Sequence, residues 1–224
     1  MTIWDFLVAT IVPSVLSFFL GLIFKKSVAR GAIRAKKWLV NDVMTVGLTA
    51  TRVYPDTDVR PLTTSVYDRA RNDIPSLKLN DVFAEEMIVT VPTFNKVTLT
   101  VERITPATKE DDRASLGPEV RVVVKPETPI RLGAREFDKL NDFSSYSNAL
   151  FSAVEIVSLV GSPAPKSAYA TCNLKRTARF IEQNTLDIED EELGCRVSGT
   201  QTQLQIVVSP ISQMTKAALK YRFA

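Results

Sequence analysis

MIVTVPTFNKVTLTVERI, residues 87–104, is the stretch that decides the expected fold class. Val89 and Val91 alternate with Ile88 and Thr90, a turn falls near Phe94, Asn95 and Lys96, and Val97, Leu99 and Val101 then share one face. Period-two alternation on both sides of a short polar turn predicts a hairpin with one buried face. Upstream, VMTVGLTATRVY (43–54) is rich in β-branched residues and runs into Pro55, which predicts a strand. Downstream, EVRVVVK (119–125) predicts another, closed by Pro126 and Pro129.

Helical spacing appears between these strands. Leu62, Val66 and Ala70 follow Pro61 and predict a helix over 61–73, stopped by Pro75; 81–86 reads as one further helical turn. The strongest helical pattern is 141–160, where Phe143, Tyr146, Leu150, Val154 and Val157 form a continuous apolar face. Asn141 or Asp142 can cap it, and Gly161, Pro163 and Pro165 stop it. A strand at 167–174, a helix at 176–184 and a second hairpin at 194–210 follow; 211–221 leans helical. The expected fold is α+β: one N-terminal transmembrane helix, then a soluble domain with a mainly antiparallel sheet and a few packed helices. The expected boundaries are 1–24 for the span, 25–42 for a basic juxtamembrane helix and 43–224 for the domain. The order β-α-β-β recurs, which suggests two halves, 43–126 and 141–224.

The span is read from Phe6 to Phe24, a stretch with no charged side chain. With Ile3 and Trp4 it reaches about 22 residues, roughly 33 Å as a helix, against a hydrocarbon core of about 30 Å. No basic residue precedes Lys25, which argues against a cleaved signal peptide and for a signal anchor. Lys25, Lys26, Arg30, Arg34, Lys36 and Lys37 follow the apolar stretch with no acid among them. The positive-inside rule then places the C-terminal domain in the cytoplasm as a single-pass protein. Lys26, Arg30, Arg34 and Lys37 share a helical stripe, the pattern of a helix lying on anionic lipid headgroups. Thr10, Ser14, Ser17 and Gly21 recur on one face of the expected span, a small-residue pattern that favours self-association.

Charge narrows the function. The chain carries 28 basic and 25 acidic residues. Setting aside Asp5 and the six basic residues of 25–37 leaves 22 against 24, a net of −2. The domain therefore lacks the basic excess of a nucleic-acid binder, and no nucleic acid is expected as a partner. Lys175, Arg176 and Arg179 are its best basic cluster and read as a solvated helix start.

No histidine is present, which excludes Ser-His-Asp and Cys-His catalysis and His-ligated zinc. Neither a GxxxxGK[ST] nor a GxGxxG loop occurs. Cys172 and Cys195 are too far apart for a CxxC motif. Glu110, Asp111 and Asp112 sit between Lys109 and Arg113 and read as a solvated loop, and the run Asp187–Glu192 lacks the alternate spacing and glycine of a Ca²⁺ loop. No catalytic residue, metal centre or cofactor is expected. The leading expectation is a non-enzymatic binding or scaffold domain anchored at a membrane, its partners anionic lipid headgroups and another protein or a copy of itself. The alternatives are an envelope, surface or virion component with a Cys172–Cys195 bond, and a carboxylate enzyme using a metal at Asp187 and Asp190.

Overall fold

Alternation over MTVGLTATRVYP builds β1 (Met44–Pro55), the strand on which the rest is laid. Met44, Val46, Leu48 and Ala50 face inward and are almost wholly buried, while Thr45, Gly47 and Thr49 on the other side are half-buried. The computed structural model describes residues 43–104, 118–133, 136–176, 185–200 and 203–221. All of these belong to one unit, Val43–Ala224.

β1 is paired along both flanks. β5 (Glu119–Pro126) runs along its second half, from Ala50↔Val124 to Pro55↔Glu119, and β6 (Ile130–Leu132) along its first, with Thr45↔Arg131. Pro126 and Pro129, which cannot donate to a ladder, mark the break between those two segments. On the other flank β7 (Ser167–Arg176) follows β1 from Met44↔Arg176 to Val53↔Ser167. The first wing continues through β4 (Asn95–Ile104), β3 (Glu86–Val91) and β2 (Lys78–Val82). The second continues through β10 (Gln203–Val208), β9 (Cys195–Thr200) and β8 (Thr185–Asp190). The strand order is β2-β3-β4-β5-β1-β7-β10-β9-β8, with β6 also on β1, in one ten-stranded sheet whose pairings are all antiparallel.

The described helices are α1 (Thr64–Asp73), α2 (Lys139–Val157) and α3 (Met214–Tyr221), the last entered through a 3-10 turn at Ile211–Gln213. α1 packs on α2, α2 reaches β1 and β5, and α3 reaches β7 and β10. Their buried side chains join the inward row of the sheet in one apolar cluster. Phe143, Leu150, Phe151 and Val154 of α2 are wholly buried there, each contributing about 1.5–3 kcal/mol by burial. Phe94, from the β3–β4 turn, meets Phe143 edge-on at 5.5 Å and Tyr146 at 6.2 Å, pinning the hairpin to α2. Asn95 makes that turn with φ of 57°, a conformation asparagine tolerates better than most residues.

The expected fold class needs correction. The described residues form mainly one large antiparallel sheet with few helices, and among them no helix is long and apolar enough to cross a membrane. The transmembrane, single-pass and signal-anchor reading therefore has no support in the described residues. The segments that carried it, 1–24 and 25–42, lie outside them. Within the domain, β2, β6 and β8 are strands that the sequence reading left as loop, turn or acidic run. Residues 81–86 are not helical: Asp81 and Val82 end β2, 83–85 make the turn and Glu86 opens β3, with the Phe83 N–H donating to Glu86 O at 2.7 Å. Nor does α1 begin at Pro61: the Leu62 N–H donates to Ala84 O instead, tying that segment to the turn. The helix expected at 176–184 falls outside the described residues from 177 onward, and Lys175 and Arg176 end a strand.

Candidate binding face

The three described helices cover one face of the sheet. The other has no described element across it. Antiparallel partners point to the same side, so the register defines this open face. Thr49 stands beside Thr171, Gly47 beside Asn173, and Gln205 beside both Asn173 and Ser198. On the first wing Thr98 and Thr100 stand beside Lys125 and Val123. The rows through Gly47 and Thr49 on β1, β7 and β10 are thus uncharged, and most of their side chains can hydrogen-bond. It follows from sequence alternation in which inward Leu48, Val197 and Leu204 are each followed by Thr, Ser or Gln.

Toward the end where β1 begins, the face dips into a hollow of about 350 Å³ lined by Asn173, Ser198, Gly199, Thr200, Gln203 and Gln205. Gly199 allows it. Its φ is +124°, and a Cβ there would lie 2.2 Å from the carbonyl oxygen of Gln203. Only glycine lets the β9 and β10 backbones approach this way. The Gln203 N–H donates to Thr200 Oγ1 at 3.3 Å across the hairpin.

Cations share this face, and Lys175 stands next to the hollow. Lys175 is in register with Gln203 on one side and Thr45 on the other. Arg131 is in register with Thr45 from the opposite flank. Lys125 is on the same face opposite Thr98. All three are exposed, and among the described residues none is in an ion pair. Other cations of this domain are engaged, among them Arg196 with Asp187 at 3.1 Å, Lys166 with Glu119 at 3.1 Å, and Lys220 with Asp190 at 2.7 Å.

The acidic run 187–192 is not a single cluster. Its first part is the edge strand β8, and alternation sends Asp187 to the open face and Asp190 to the helix face. Asp187 pairs with Arg196, whose hydrogen bonds hold its carboxyl below the usual range. Asp190 accepts from Lys220 Nζ at 2.7 Å, Tyr221 Oη at 2.7 Å and the Leu193 N–H at 3.2 Å. The Lys220 and Tyr221 bonds hold its carboxyl at about 2. Two carboxylates on opposite faces, each with its own cation, do not converge on a metal. No group of three or more metal-ligating side chains occurs among the described residues. Glu110, Asp111 and Asp112 lie outside the described residues.

Cys172 and Cys195 are buried free thiols on β7 and β9, with β10 between them: Cys172 faces Ile206, and Cys195 faces Val208. The adjacent-strand bond considered for a surface protein has no geometry here. Burial pushes the Cys172 thiol up to about 12.

Of the residues singled out in the sequence, the basic run Lys25, Lys26, Arg30, Arg34, Lys36 and Lys37 lies outside the described residues. So does the small-residue stripe Thr10, Ser14, Ser17 and Gly21. The hollow and the Arg131–Lys175 pair were missed. Only Lys175 had been noticed, as part of a helix start. No protein-family model, curated protein or solved structure matches the chain.

Proposed function

We propose that this chain is a non-enzymatic binding or scaffold domain that works beside an anionic lipid surface and presents its open sheet face to what it binds. The observation that carries the reading is the face itself. It is broad, uncharged along its middle rows on β1, β7 and β10, uncovered by any described element, and bordered where β1 begins by Arg131 and Lys175, which have no ion pair among the described residues. The basic run at 25–37, a few residues before β1, adds attraction to anionic headgroups at about 1 kcal/mol per residue near the surface.

The test is vesicle co-sedimentation of the full chain. Phosphatidylcholine vesicles are compared with vesicles in which about a third of the lipid is phosphatidylserine, and partition should favour the anionic ones. Replacing the six basic residues of 25–37 with Gln should remove most of that preference, and added salt should weaken it. Equal partition of the wild-type chain into both vesicles would refute the reading.

A further inference from the structure

The hollow and the Arg131–Lys175 pair are neighbours on one face, and together they have a chemistry that neither has alone. We propose that they seat the phosphorylated, hydroxyl-bearing headgroup of an anionic lipid. The proposal rests on the lipid-surface reading above and gives it a structured site.

Register makes the argument. Thr45 lies between Arg131 and Lys175, one strand away on each side. Two strand spacings put their Cα atoms about 10 Å apart. Both side chains are long enough to bring their charged heads together above Thr45. An arginine fork and a lysine point charge are the usual pair for a phosphate, and the Thr45 hydroxyl lies beneath them as a further donor. Across Lys175 the same row continues into Gln203 and the hollow. The amides of Asn173, Gln203 and Gln205 and the hydroxyl of Ser198 offer donors and acceptors together, which suits a ring of hydroxyl groups. The hollow, about 350 Å³, is open to solvent and has room for one headgroup ring. A nucleic-acid strand fits less well: Tyr169 is the one aromatic ring that the register places on the middle strands of this face, and single strands need stacking platforms.

The experiment uses the full chain and two vesicle types matched in surface charge. One carries phosphatidylinositol 4-phosphate and the other phosphatidylserine, both in phosphatidylcholine. Stronger partition into the phosphoinositide vesicles is expected. Arg131→Gln with Lys175→Gln should weaken that partition by on the order of 25-fold, from about fivefold for each cation lost. Gln205→Ala, which changes no charge, should reduce the phosphoinositide preference and leave phosphatidylserine binding as it was. Soluble inositol 1,4-bisphosphate should displace the wild-type chain. Unchanged melting temperatures show that the variants fold.

A wild-type chain that binds both vesicle types equally overturns the headgroup seat. So does a double variant that partitions like the wild type, or binding of the soluble compound with no phosphoinositide preference on vesicles. A chain that keeps its general anionic preference while failing these tests loses the seat alone. A chain with no anionic preference loses the lipid-surface reading as well.

Discussion

Arg52 on the central strand and Glu155 on α2 meet at 2.7 Å, and Tyr54 donates to the same carboxylate oxygen at 2.6 Å. Arg52 also donates to Asn148 at 2.9 Å and rests 4.8 Å from the centre of the Phe151 ring. One carboxylate thus holds two groups of the strand against one helix. Burial, then the bond to Glu155, pushes the Tyr54 phenol above its ordinary value.

Removing that acceptor should be costly. Both charged side chains are about one-fifth exposed, so Glu155→Ala leaves a largely desolvated guanidinium and a buried phenol without their partner. The expected loss is about 3 kcal/mol of unfolding free energy, read from urea denaturation. Glu155→Gln keeps an acceptor and should lose about half as much. A loss below 1 kcal/mol for the alanine variant would mean that α2 is held by apolar packing alone.

Asp190 predicts an acid-sensitive step. Its folded carboxyl is held at about 2 against an ordinary 3.8. A depressed value means that the stabilisation is complete above the ordinary value and disappears as pH falls from about 4 to about 2. Thermal melts of the wild type and Asp190→Asn should differ at neutral pH and converge across that window. Parallel curves would show that Lys220 and Tyr221 do not discriminate between the charged and neutral forms.

The thiols should be silent. With Cys172 raised to about 12 by burial, and Cys195 raised by burial and by the Asp190 charge, neither presents thiolate at pH 8. Maleimide labelling read by mass spectrometry should give no adduct on the native domain and two after denaturation. One fast adduct under native conditions would mean that the β9 or β7 region opens.

Gly199→Ala should lower stability by about 1–3 kcal/mol, because φ of +124° strains any residue with a Cβ and the added atom meets the Gln203 carbonyl. The same variant should disturb the hollow, so its headgroup binding should fall together with its melting temperature. Gly47→Ala is the contrasting case. A Cβ there would meet only the Cβ of Asn173, at 3.7 Å, and the melting temperature should stay close to that of the wild type.

Legibility in the sequence followed local pattern. The hairpin at 87–104 and the strand at 44–55 could be read because their alternation is long and their bounding turns are explicit. The long helix was found for the same reason, with ends shifted by a few residues: the sequence reading ran to 160, but the Val160 N–H donates to Asp58 O outside the helix. In β8, Leu186 and Ile188 alternate with Asp187 and Glu189, but two apolar residues in a six-residue acidic segment are too short a period to read as a strand. β2 was missed because a register shift between Leu79 and Asp81 breaks its alternation. The binding face could not be read at all. Arg131, Thr45 and Lys175 are remote in sequence, and only the order β6-β1-β7 makes them neighbours.

That order has a consequence for synthesis. β1 is the first strand of the domain to leave the ribosome, yet its partners are Val120 to Val124 on one side and Ala168 to Leu174 on the other. Neither partner exists as chain when β1 emerges. The central ladder closes only after β7 has been made, so the nascent domain carries β1, rich in β-branched residues, with at least one flank unpaired until late in its translation. Slow, late folding is expected of such non-local pairing, and the newborn chain is the form most in need of a chaperone.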